Sequence, residues 1–127
     1  MKDKAVQKQM DRVRPLVDDW AHGLGLGYYT RETLYYSKEK EFRKGNGGVA
    51  VFRVWADWRY LTFTISVNLP AVKRLNDNEL EHAIVHELVH VLVNEMRETG
   101  INHEERTVTQ LTKAFFWVRD LKPNGRV

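Results

Sequence analysis

The stretch His86-Glu87-Leu88-Val89-His90 fits the pattern H-E-x-x-H. On a helix, residues four apart lie one above the other on one face, so both imidazoles can reach a single Zn²⁺ at about 2.0–2.1 Å. Glu87 stands beside the first histidine and can lean over an open coordination position, where a carboxylate can take a proton from water. The spacing therefore casts Glu87 as a base and His86 and His90 as ligands. His82 lies one turn further upstream on the same side. A ladder of three histidines along one straight helix spans about 12 Å at 1.5 Å per residue, too far to converge on one ion, which makes His82 a rim residue.

Composition narrows the donors. The 127 residues contain no cysteine, which excludes a disulfide framework, a thiolate metal site and a cysteine nucleophile, and leaves His and carboxylates to hold any metal. Twenty Lys and Arg against 17 Asp and Glu give a net charge of +3, too mild to demand or exclude a nucleic-acid partner. No apolar run approaches the roughly 20 residues of a membrane span, and the polar N-terminus has no signal-type core. The expectation is a single domain over residues 1–127, soluble and cytoplasmic, with no membrane partner. Residues 1–74 carry 14 basic and 8 acidic side chains and residues 75–127 carry 6 and 9, so the candidate site falls in the acidic part.

The elements that must position these groups are legible as an α+β chain. Val6, Met10, Val13, Val17 and Trp20 recur at helical spacing over residues 3–22, with Pro15 predicted to kink or divide the helix. Gly23, Gly25 and Gly27 follow as a connection. Short strands are predicted at 33–37, 49–56 and 60–67, with turn chemistry at Gly45-Asn46-Gly47-Gly48 and at Ala56–Arg59. Leu61, Phe63, Ile65 and Val67 alternate with polar residues, and the three strands read as an antiparallel meander with one buried face.

Asn76 followed by Glu79 is a capping-box signature opening a helix to about Met96 or Glu98, with Gly100 past its end. From Ala83 to Val93 this helix is apolar all round except for His86, Glu87 and His90, as a central buried helix would be. A last helix, 103–121, carries Val108, Leu111, Phe115 and Val118 as its apolar stripe and opens on His103-Glu104-Glu105. Packing that stripe on the 79–96 helix would deliver its acidic first turn to the metal.

This combination resembles the zincin metallopeptidases over about residues 60–118. In the gluzincin arrangement a glutamate on the helix after H-E-x-x-H is the third ligand. The run from Leu75 to His90 is particularly similar to minimal zincins, the minigluzincins and the short metallopeptidase-like proteins of phages and mobile elements. The resemblance implies Zn²⁺ on His86, His90 and Glu105, with Glu104 as the alternative third ligand. Glu105 places Val108 and Thr109 at the small or polar positions of that helix, whereas Glu104 aligns with the centre of the apolar stripe. It further implies peptide-bond hydrolysis with Glu87 as general base, a protein or peptide substrate pairing with an edge strand, for which Leu61 to Val67 or its neighbour is the candidate, and an oxyanion-stabilising Tyr or His among Tyr28, Tyr29, Tyr35, Tyr36, His22 and His103.

The metzincin pattern is excluded, because Val93 and Met96 stand where Gly and His are needed. Thr109 replaces the acid that usually follows the gluzincin glutamate, so another group must orient His86. Two other readings stand beside the peptidase. One is a zinc-binding module with little or no proteolysis. The other is association with DNA or a DNA-bound protein through Arg53, Trp55, Trp58, Arg59 and Tyr60, which interleave cations and aromatics.

Overall fold

A computed structural model of the chain describes residues 3–43, 50–94 and 103–120. The first helix, α1 (Lys4–Gly23), is capped by Asp3, whose carboxylate accepts from the Ala5 amide at 2.7 Å. Its buried residues Met10, Val13, Val17 and Ala21 are spaced by three and four. Pro15 does not divide it. The proline deprives the carbonyl of Asp11 of its helical donor, and both residues are exposed, so that carbonyl faces water.

Three strands follow: β1 (Thr30–Tyr36), then, after the short α2 (Glu39–Arg43), β2 (Phe52–Asp57) and β3 (Thr62–Asn68). Their order is β1-β3-β2, with β1 parallel and β2 antiparallel to β3. The predicted antiparallel meander is therefore corrected to a mixed sheet. Strands β1 and β2 are consecutive in sequence but not neighbours, because β3 enters between them, and a parallel pair needs a crossover where an antiparallel pair needs only a turn. Gly45-Asn46-Gly47-Gly48 lies outside the described residues. The second turn sits at 58–61, later than expected, and Leu61 adopts a left-handed φ of 54° there, so it belongs to the turn and is partly exposed. Phe63, Ile65 and Val67 of β3 are buried, as their alternation requires.

From β3 the chain passes into α3 (Leu69–Lys73), with Pro70 in its first turn, and on to α4 (Asp77–Leu92). Both halves of the α4 capping box form: Asn76 Oδ1 accepts from the Glu79 amide at 2.8 Å, and Glu79 Oε1 accepts from the Asn76 amide at 2.9 Å. The last helix is α5 (Glu104–Arg119). Met96, Glu98 and Gly100, expected at the end of α4, lie outside the described residues.

Helix α4 is buried on two sides. Leu80, Ile84, Leu88 and Val91 join α1 and the sheet in the main core, while Val85 and Val89 pack with Val108 and Phe116 of α5. The buried stripe of α5 runs through Val108, Thr112 and Phe116, with Leu111 and Phe115 half-buried beside it. Val118, expected in that stripe, is 57% exposed. Across the far end of the helices, Glu81 accepts from Trp20 Nε1 at 2.7 Å and from Arg119 Nη1 at 2.8 Å, tying α1, α4 and α5 together. Among the described residues no helix is long and apolar enough to cross a membrane.

Candidate metal centre

With α4 fixed by its two apolar faces, a third face carries His86 and His90 toward the start of α5. There Glu105 bridges the histidines: its carboxylate lies 2.8 Å from His86 Nε2 and 3.0 Å from His90 Nε2. One donor atom from each of His86, His90 and Glu105 falls within 4.8 Å of the others. The two rings stand 5.0 Å apart and nearly perpendicular, so they do not stack, and each presents its Nε2 to the Glu105 carboxylate.

Glu104 goes elsewhere. Its Oε2 lies 2.6 Å from His90 Nδ1, and the two side chains are 13% and 11% exposed. An ionised carboxylate can only accept, so this contact keeps a proton on Nδ1 and leaves Nε2 to face Glu105. The adjacent glutamates thus divide the two nitrogens of one imidazole between them. His103, immediately before them, holds a left-handed φ of 71°, a strained backbone for a residue other than glycine.

The donor set suits a divalent metal. Four donors at about 2.0–2.1 Å from a tetrahedral zinc are about 3.3 Å apart, which is near the 2.8 and 3.0 Å that separate the two Nε2 atoms from the Glu105 oxygens and inside the 4.8 Å that encloses one donor atom from each residue. Glu105 is 69% exposed, which leaves the open side of the cluster to solvent. Burial holds His86 below its ordinary pKa, with the nearby His90 acting the same way and Glu105 opposing both. The neutral imidazole, which is the form that binds metal, is thereby favoured.

A cleft of about 400 Å³ opens beside this cluster between α4, α5 and the start of β2. His86 and Glu87 line one end. Ala50, Val51, Phe52 and Ala83 contribute apolar wall, and His82, Thr109, Thr112 and Lys113 complete the lining. His82 is exposed and its ring stacks on Phe116 at 4.0 Å, away from the donor cluster. Strand β3 is central in the sheet and has no free edge, which corrects the expectation that Leu61 to Val67 could receive an extended chain; its neighbour β2 is an edge strand and begins at the cleft.

Tyr28, Tyr29, Tyr35, Tyr36, His22 and His103 are not among the residues that line it. Tyr29 packs on Phe63 and Tyr36 on Phe42. Lys113 and Thr112 escaped the sequence reading, although counting from Glu105 by helical steps reaches Thr109, Thr112 and Lys113 on one side of α5.

The cation–aromatic cluster of β2 and the turn after it is largely occupied within the fold. Arg53 lies over the Phe42 ring at 4.4 Å, and Arg59 is paired with Asp57 at 3.2 Å. Trp55 and Tyr60 remain exposed. Comparison of the chain with family models, with curated proteins and with solved structures finds no match.

Proposed function

We propose that this protein is a zinc-dependent metallopeptidase in which His86, His90 and Glu105 hold the metal and Glu87 is the general base. The observation that carries the reading is the convergence of His86 Nε2, His90 Nε2 and the Glu105 carboxylate beside a cleft that Glu87 lines. A bound zinc ion supplies Lewis acidity, polarising a carbonyl and making water a better acid.

The remaining work falls to the chain's own residues. Glu87 accepts a proton from the attacking water and returns it to the leaving amine. Glu104 fixes the tautomer and orientation of His90 through Nδ1. The apolar wall at Ala50, Val51 and Ala83 holds substrate side chains and limits water around the reacting carbonyl.

Substituting Glu87→Gln tests this directly. The variant is expected to keep its zinc and to lose hydrolysis of a mixed peptide library, read by mass spectrometry, by about 10²-fold or more. Wild-type protein that holds zinc and cleaves no peptide would instead support a zinc-binding module without proteolysis.

A further inference from the structure

Lys113 is a cation lining the cleft, and among the described residues it makes no hydrogen bond or ion pair. It is exposed, so it retains its freedom to reach a ligand. The carboxylate in the same lining is Glu87, at the metal end, and the other ionisable groups there are His82 and His86. Between Lys113 and the metal end the wall is apolar or hydroxyl-bearing. A substrate laid along this cleft therefore meets a base at one end and an unpaired positive charge at the other.

The geometry points to Lys113 as a specificity-determining residue that recognises a carboxylate on the substrate two to three residues from the scissile bond; this rests on the peptidase reading of the metal centre. Lys113 lies eight residues beyond Glu105, about 12 Å along α5. Both side chains lean toward the preceding turn, so the offset is largely kept, and only the longer lysine stem shortens the span to be bridged, to roughly 8–10 Å. An extended peptide covers about 3.3 Å per residue, hence two to three residues. The carboxylate can belong to an acidic side chain or to a free C-terminus, and Lys113 would receive either in the same way.

The test uses the zinc-supplied full chain and peptide hydroxamates, which bind through the metal. One series places two alanines and then either glutamate or glutamine upstream of the hydroxamate. A second places alanines downstream, ending in a glutamate amide, a glutamine amide or a free carboxylate. Affinities are compared in wild type, Lys113→Met and Lys113→Glu, all at an exposed position outside the metal centre.

The acidic member of one series is expected to bind roughly three- to tenfold tighter than its neutral partner, with the advantage gone in Lys113→Met and reversed in Lys113→Glu. The series and member that gain identify the source of the carboxylate. Acidic and neutral members within twofold of each other, or a preference that survives Lys113→Glu, would overturn the assignment while neutral hydroxamates still report an intact metal centre. Failure of every hydroxamate to bind zinc-supplied protein would overturn the metal centre and this assignment with it.

Discussion

Removing the Glu104 carboxylate should weaken metal binding without abolishing it, because the side chain acts through His90. Its contact with Nδ1 is 2.6 Å long, and both side chains are nearly buried, so water replaces it poorly. A hydrogen bond to a charged group under such conditions is worth about 1.5–3 kcal/mol, which corresponds to roughly 10- to 100-fold in zinc affinity. Glu104→Gln keeps an acceptor oxygen and loses only the charge, and should fall in the lower part of that range. Glu105→Ala removes a donor altogether and should cost more than either. The assay is competition for zinc against a chelating dye at fixed pH, with thermal melts of each metal-free variant to confirm folding. Zinc affinity within twofold of wild type in Glu104→Ala would refute the orienting role, and a loss equal to that of Glu105→Ala would make Glu104 a ligand.

Other consequences follow from the packing and the charges. Leu88→Ala truncates a fully buried side chain of α4 and should destabilise the fold by about 2–5 kcal/mol in urea unfolding, while the folded fraction still binds zinc. Burial alone would raise the pKa of Glu81, but the hydrogen bonds from Trp20 and Arg119 outweigh it and hold the carboxyl below its ordinary value of 4.5. A depressed folded pKa means stabilisation that is present above that value and lost as pH falls through the folded one, so the gap in melting temperature between wild type and Glu81→Gln should close in acid. For His86 the neutral form is favoured, so zinc retention should stay level down to about its ordinary pKa of 6.5 and fall only below it, as measured by dialysis across a pH series.

How far the sequence alone reaches differs between the two helices of the site. On α4 the candidate ligands are spaced within one helix, and the capping box at Asn76 and Glu79 sets where that helix begins, so His86, Glu87 and His90 follow from local rules. On α5 the choice between Glu104 and Glu105 depends on the rotation of the helix about its axis, which tertiary packing decides. Val108, Leu111, Phe115 and Val118 would centre the buried face on Glu104. The stripe through Val108, Thr112 and Phe116 is turned by roughly 80° at 3.6 residues per turn, so Glu105 shares the side of α5 that meets both histidines while staying largely exposed, and Glu104 is left nearly buried against His90 Nδ1. Thr112 is buried there with its hydroxyl donating to the Val108 carbonyl at 2.8 Å, which is why a polar residue could take a core position that hydropathy did not assign to it.

The pairing of the three strands is illegible in the sequence for a comparable reason. The alternation in β3 fixes which side chains turn inward, but nothing in a single strand names its neighbours. Strand β1 pairs in parallel with β3 from Thr30↔Thr62 to Tyr36↔Asn68, a long-range arrangement that depends on the crossover through α2. Pro15 is tolerated in α1 because of where it faces, and that too is a tertiary fact.

The most direct measurement is the metal content of the purified chain by elemental analysis, for wild type and for Glu105→Ala, both after incubation with zinc and removal of the excess. Two histidines and a carboxylate converging at hydrogen-bonding distance predict close to one zinc per wild-type chain and far less in the variant. Wild-type protein that retains no zinc, or a Glu105→Ala variant that retains it fully, would contradict the account.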